Sequence, residues 1–375
     1  MNRPRGWFDR YSRLAPLTVP LCAIAVAVVF GGLVIIAAGA NPVVAYGALF
    51  NGGFGGVDAI AGSLARSIPF IIASVAVAFG FKAGLFNIGA EGQLLVGALA
   101  SAWVGTLSWV AGLPGIVAVP VVLGAGALGG LGYGGIPGVL KARTGAHEVI
   151  TTIMLNAIAL RLVEWLISSR DPVILLDASS SVPRTHPIAA SARLPQLLAG
   201  TGLHAGLLVA VGLCGLVWFV LMRTTFGFEV RTVGISPDAA RYAGMSVRRA
   251  MLSVLACSGA LAGIAGAGEI SGAQGFLTPG SFAGIGFDSI GIALLARANP
   301  LAVIPTAILW GALLAGAPRM QLEAGLSIDL VRIVQALIIL FVAADVIVRG
   351  LFGLGRSRDG AQALGAGSFA KGWRT

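Results

Sequence analysis

Ten apolar runs dominate the chain, at approximately 17–39, 61–82, 92–111, 113–139, 149–168, 203–222, 250–268, 287–298, 300–317 and 329–348. A membrane-crossing helix needs roughly 17–25 consecutive, mostly apolar residues, and most of these runs reach that length. The pattern predicts an all-α fold, a polytopic transmembrane helical bundle of about ten spans. Two runs are imperfect. The run 61–82 carries Arg66 and Pro69, and 287–298 is too brief to cross untilted. Interrupted segments of this kind mark broken or re-entrant helices.

Polar stretches between the runs set the orientation. The stretch 223–249 holds Arg223, Arg231, Arg241, Arg248 and Arg249 against Glu229 and Asp238, and the link near 140–148 holds Lys141 and Arg143. Arg349, Arg356, Arg358, Lys371 and Arg374 follow the last run. Basic loops stay on the cytoplasmic side, so all three are expected there. The nearly charge-balanced loop 169–202, broken by Pro172, Pro183, Pro187 and Pro195, is expected outside. Residues 1–16, with Arg3, Arg5, Arg10 and Arg13, form a cytoplasmic N-terminus ahead of a retained first helix. A cleaved signal peptide would have a shorter apolar core and a small-residue cleavage motif. The membrane domain then runs over 17–348, and 349–375 is a polar, Gly-rich cytoplasmic tail expected to be disordered. Both termini are cytoplasmic, which requires an even number of crossings.

Composition strengthens this picture. Hydrophobic residues make up 57% of 375 positions, charged residues 11%, and mean hydropathy is +0.92. A soluble domain carries roughly 25% charged residues. Gly occurs 55 times without a collagen-type period, as suits helices that approach closely in lipid. The net charge of +10 would point to nucleic acid in a soluble protein, but here its clustering between apolar runs is accounted for by membrane orientation. Cys22, Cys214 and Cys257 each lie inside an apolar run, with no paired spacing for a disulfide framework or a metal site.

Three stretches carry candidate chemistry. Residues 80–93, Gly-Phe-Lys-Ala-Gly-Leu-Phe-Asn-Ile-Gly-Ala-Glu-Gly-Gln, place Asn87, Glu91 and Gln93 among glycines between two apolar runs. Kinked backbone at membrane depth must be buried in protein or line a wet cavity. The stretch is therefore either part of a solute path or a tight cytoplasmic turn with Glu91 in solvent. In the second, Glu148, Thr152 and Asn156 are spaced i, i+4, i+8 on one helical face. Thr144 is positioned to cap that helix and Glu148 to sit in its first turn. Asn156 either lines a path or bonds a neighbouring helix, and bonding is the favoured reading. In the third, Ser236-Pro237-Asp238 starts a short helix through Tyr242 that ends near Gly244. An isolated helix of that length is marginal, so it is expected to dock on something.

Together these stretches resemble the permease subunits of bacterial ABC importers, in the family serving branched-chain amino acids and ribose-type sugars, nearest its nucleoside and simple-sugar branch. The resemblance rests on Gly84–Gln93, on Gly145–Asn156 (with Ala146 where Thr is usual), on Phe226–Arg231 through Gly244-Met245, and on Gly286-Phe287 to Asn299-Pro300. It covers about 60–345. It implies a bacterial inner-membrane, multi-pass subunit that forms the translocation pathway for a small polar solute, nucleosides first and ribose-type sugars second. It implies partners as well: a second, related permease chain, a cytoplasmic ABC ATPase carrying ATP and Mg, and an external substrate-binding protein meeting loop 169–202. No cofactor is expected on this chain and no nucleic-acid partner. Phe86, Asn87, Glu91, Gln93, Thr152, Asn156, Phe287 and Asp288 become candidate pathway residues. Phe228, Glu229, Arg231, Ser236, Pro237, Asp238 and Tyr242 become candidate ATPase-coupling residues.

The lysines agree with this division of labour. Lys82, Lys141 and Lys371 are followed by Ala, Ala and Gly, so none is the Lys of a G-x-x-x-x-G-K-[ST] phosphate loop. The chain is expected to be a transport subunit, not an enzyme. The competing reading is an ion-coupled secondary carrier, which would be expected to cluster acids in its membrane core. Glu91, Asp288 and Glu164 are sparse instead. An intramembrane enzyme fits least, since no HExxH or serine-nucleophile motif occurs and Cys257-Ser258-Gly259 alone is weak.

Overall fold

A computed structural model describes residues 15–343. The expected cytoplasmic N-terminus up to residue 14 and the tail 349–375 lie outside the described residues. Among those described, every regular element is helical: α1 (Ala15–Ala37), α2 (Pro42–Phe54), α3 (Val57–Lys82), α4 (Ala90–Gly105), α5 (Ser108–Ala111), α6 (Gly115–Thr144) and α7 (Glu148–Ser168), followed by α8 (Gly206–Arg223), α9 (Thr225–Ile235), α10 (Pro237–Tyr242), α11 (Val247–Glu269), α12 (Ile285–Leu295), α13 (Val303–Ala324) and α14 (Ile328–Ala343). A π-turn over Ile270–Gln274 extends α11.

Each of the ten apolar runs contains a helix, but they are not equivalent. Among the described residues, six helices are long and apolar enough to cross a membrane: α3, α6, α7, α8, α11 with its π-turn, and α13. Ala25–Ala37 and Pro42–Phe54, bent by 119°, bring the number to seven if counted as one broken span. The run 92–111 divides between α4, of 16 residues, and α5, of 4 residues. The run 287–298 yields the 11-residue α12. The run pattern passes over α2 because its 13 residues are too few for a span. There Asn41 accepts a bond from the Val43 N–H at 2.9 Å and Pro42 supplies the first helical position.

The described chain divides into two units, 15–59 with 313–343, and 60–312. In the first, Ala45, Ala48 and Leu49 of α2 pack with Ala27, Ile35, Met320, Val331 and Val334. Tyr46 donates to the Val28 carbonyl at 2.9 Å, and Gln335 donates to that of Leu313 at 2.8 Å.

The second unit is built on glycine. Along α6, Gly126, Gly130, Gly134 and Gly138 recur every fourth residue and form one stripe. A Cβ on Gly130 would strike the Gly259 carbonyl and lie 2.8 Å from Gly263 Cα of α11. A Cβ on Gly97 of α4 would strike Gly263 as well. The backbones of α4, α6 and α11 therefore touch directly, and dispersion between them replaces the hydrophobic effect that lipid cannot supply. The outward faces are apolar instead: Ile116 and Leu128 of α6, Ile150 and Met154 of α7 and Leu208 of α8 are exposed. Trp103, Trp109 and Trp165 are half exposed, in helices whose ends meet the segment 169–202, as aromatic side chains at a membrane–water boundary are.

Candidate functional site

The interruption at 83–93 is a turn followed by a helix start. Beyond Lys82 the chain reverses at Gly84, whose φ of +71° only glycine adopts without strain. Helix α4 then begins after Gly89, which has no side chain with which to cap it. The cap comes from another helix. Asn156 of α7 accepts from the Gly92 N–H at 2.9 Å through Oδ1 and donates to the Ile88 carbonyl at 2.9 Å through Nδ2. Helix α12 repeats the device. Its start follows Gly284, and the carboxyl of Glu91 accepts from the Gly284 N–H at 2.7 Å and the Gly286 N–H at 2.6 Å. An acidic group at a helix N-terminus gains from the orphan N–H groups and from the macrodipole. So α7 caps α4, and α4 caps α12.

Asn87 and Gln93 close the knot. Asn87 Nδ2 donates to Gln93 Oε1 and to Ser258 Oγ of α11, each at 2.9 Å, and Gln93 Nε2 returns a bond to Asn87 Oδ1 at 3.2 Å. Ser258 Oγ in turn donates to the Ala76 carbonyl of α3 at 2.7 Å. Asn87, Gln93, Thr152 and Ser258 are at most 1% exposed, and Glu91 and Asn156 are each 7% exposed. Close approach depends on glycine here too, since a Cβ on Gly89 would lie 3.0 Å from Asn87, Gln93 and Thr152. Thr152 turns back on its own helix and donates to the Glu148 carbonyl at 2.7 Å.

These positions bear on the alternatives left open by the sequence. Glu91 is not in solvent, and Asn156 bonds a neighbouring helix. Thr144 does not cap α7. It lies in the last turn of α6, where its hydroxyl donates to the Leu140 carbonyl at 2.7 Å, and Gly145 (φ +73°) ends that helix. Glu148 does open α7 and pairs with Lys141 at 2.9 Å. Phe86 packs on Phe81, with ring centroids 4.9 Å apart. Phe287 is 49% exposed, and Asp288 lies in the first turn of α12. The sequence reading missed Ser258 as a member of the knot. Its signal was a hydroxyl in the otherwise apolar stretch 254–268 of α11.

The stretch 223–249 differs in character. Thr224 and Ser236 cap α9 and α10, accepting from the Gly227 and Ala239 N–H groups at 3.0 Å and 3.3 Å. Val233 and Ala240 bury themselves with Val247 and Ala250 of α11. Other side chains point out: Tyr242 is 95% exposed, Ile235 81% and Phe228 54%. Asp238 and Arg241 pair at 3.0 Å on the surface, and Arg231 Nε reaches the Gly227 carbonyl at 3.4 Å. Where α9 meets the turn, a Cβ on Gly234 would strike the Lys82 carbonyl and lie 3.0 Å from Ala83 Cα. Phe226 packs on Phe79 with centroids 6.3 Å apart. The exposed loop and the buried knot are thus joined by direct backbone contact.

Residues 59–343 match the family described as branched-chain amino acid transport system / permease component. The chain belongs to that permease family. Among curated relatives it is 41% identical over 345 residues to the guanosine ABC transporter permease protein NupP of Bacillus subtilis, covering 91% of this chain and 97% of the relative. It is 35% identical to the nucleoside ABC transporter permease protein NupB of Lactococcus lactis subsp. cremoris, covering 88% of this chain and 91% of the relative. It is likewise 35% identical to the glucose ABC transporter permease protein TsgB13 of Haloferax volcanii, over 92% of each. No solved structure matches. This permease is a multi-pass membrane subunit of an ABC importer, a transport component and not an enzyme. An ABC permease works with an ATPase and a substrate-binding protein, so the ion-coupled carrier and the intramembrane enzyme are set aside.

Proposed function

We propose that this permease forms the membrane pathway of a nucleoside importer in a bacterial inner membrane, paired with a second, paralogous permease chain. The observation that carries the reading is 41% identity along 91% of the chain to a guanosine permease, joined by 35% identity to a nucleoside permease. Ten crossings, both termini cytoplasmic, loop 169–202 outside and 223–249 inside complete the arrangement. Phe228, Glu229, Arg231, Tyr242 and the helix started by Ser236, Pro237 and Asp238 seat in the ATPase. The exposure of Tyr242 and Phe228 supports that role, because large aromatic side chains presented to water mark interaction surfaces.

Asn87, Glu91, Gln93, Thr152 and Asn156 serve the pathway by holding its broken helices in place, and Phe86, Phe287 and Asp288 line it. The saturation of the amides supports this division, since a side chain whose donors and acceptors are spent inside the protein has little left for a solute. A sugar substrate is the second reading, favoured by the 35% identity to a glucose permease.

The test is uptake of labelled guanosine and glucose into vesicles holding both permeases and the ATPase, with the binding protein outside. ATP-dependent guanosine uptake is the expected result. Uptake of glucose alone would transfer the assignment to sugars, and uptake by this chain alone under a proton or sodium gradient would overturn it.

A further inference from the structure

Most acidic groups of the 60–312 unit that lie in or beside its membrane helices have partners. Glu91 holds the start of α12, Glu148 pairs with Lys141, and Glu164 pairs with Arg161 at 2.8 Å. Glu269 does not. It lies inside the candidate span Val247–Gln274, enclosed by protein yet with part of its surface still accessible. Among the described residues it has no hydrogen bond and no ion pair. An unpaired carboxyl at membrane depth is costly unless it has a use.

The surrounding backbone is held firmly. Glu269 is the last residue of α11, where the ladder widens into the π-turn Ile270–Gln274, a local irregularity that recurs at functional sites. The outer segment is bonded onto that turn: Leu194 donates to the Ser271 carbonyl at 2.8 Å, Ile188 to Gly275 at 2.8 Å, and Thr185 to Leu277 at 2.9 Å. The His204 ring occupies the space a Cβ on Gly272 would need. Ser271 is fully buried with its hydroxyl unpartnered. A free acceptor on a pinned frame is a preorganised binding arrangement. It is the reverse of the saturated knot.

Resting on the nucleoside reading above, we propose that Glu269 is a solute-selecting residue, and that its two oxygens accept from a pair of adjacent donors on an uncharged solute. Two acceptors and no positive partner exclude an anion and favour paired O–H or N–H groups. A guanine nucleoside offers such a pair twice, as the ribose 2′,3′-hydroxyls and as the base N1–H with its exocyclic amine. Glu269→Gln preserves shape and removes one acceptor together with the charge.

The experiment compares wild-type permease with Glu269→Gln in the full transporter, using labelled guanosine, inosine and 2′,3′-dideoxyguanosine. Guanosine uptake by Glu269→Gln is expected to fall about tenfold or more, as loss of a charge-assisted bond does. Sensitivity to the variant that persists for inosine and vanishes for the dideoxy compound assigns the hydroxyl pair, and the opposite pattern assigns the base edge. Unchanged guanosine uptake, or an equal loss for all three compounds, would overturn the proposal. Glu269→Asp, which keeps the charge, should retain more guanosine uptake than Glu269→Gln. If both variants lose it equally, or the assembled transporter falls apart, Glu269 is a structural group and the proposal fails. Absence of nucleoside uptake by the wild type would instead remove the substrate reading. The variants are then compared on glucose, whose adjacent hydroxyls present the same chemistry, and unchanged glucose uptake would overturn the role of Glu269.

Discussion

The knot at 84–93 and the loop at 223–249 are both polar interruptions in an apolar chain, yet their side chains behave in opposite ways. In the knot, Asn87, Gln93 and Asn156 spend their amides on one another, on Ser258 and on backbone groups, and Glu91 spends its carboxyl on the start of α12. On the loop, Tyr242 and Phe228 face outward. Polar residues at membrane depth are therefore not in themselves solute contacts. Satisfied within the protein, they fix where helices break. A surface left open is available to a partner, and Gly234 against Ala83 ties the two regions together.

The largest effect is expected where backbones touch. Gly130→Val places side-chain atoms into Gly259 and Gly263 of α11 and is expected to destabilise by about 3 kcal/mol or more. Gly132→Val on the same helix meets nothing within 4 Å and should be tolerated. Melting temperatures of the purified transporter in detergent check the pair. Next comes the knot. Asn156→Ala strands the buried Gly92 N–H and Ile88 carbonyl, for a cost of about 2–4 kcal/mol. A solute contact with no structural part would leave the melting temperature unmoved and raise only KM.

Much of this was legible in the sequence, and the remainder was not, for a physical reason. Apolar runs locate helices because lipid enforces the pattern, and all ten runs contain one. Asn87, Glu91 and Asn156 stand out because polarity there is costly. Their partners could not be read, since Asn156 and Gly92 lie 64 residues apart and Glu91 and Gly284 lie 193 apart. Nor could the α6–α11 contact. A stripe of glycines says that something approaches closely, without saying which helix it is. Helix α2 escaped because its 13 residues are too few for a span.

A smaller effect separates a third polar centre from both regions. In the segment 169–202, Asp177 accepts from the Ser179 hydroxyl and from Arg184 Nη2 at 3.1 Å, with His186 nearby. The Ser179 bond first, then Arg184 and His186, hold its carboxyl below the usual range. Its contribution is therefore complete above the unfolded value of about 3.9 and is lost as pH falls through the lower folded value. Proteolytic cutting within 176–186 should rise below pH 4 and stay flat between pH 5 and 8. Asp177→Asn should raise cutting at pH 7 and flatten its increase in acid.

The smallest change in stability is expected from Tyr242→Ala. Because its side chain is almost wholly exposed, the melting temperature should correspond to a shift within about 0.5 kcal/mol. Its effect on coupling should be large. The deciding measurement is the number of ATP molecules hydrolysed per guanosine imported by the reconstituted transporter, for wild type and Tyr242→Ala side by side. A ratio that rises severalfold at an unchanged melting temperature is the predicted result. An unchanged ratio, or a rise accompanied by loss of the folded subunit, would contradict the division between a closed knot that builds the pathway and an open loop that drives it.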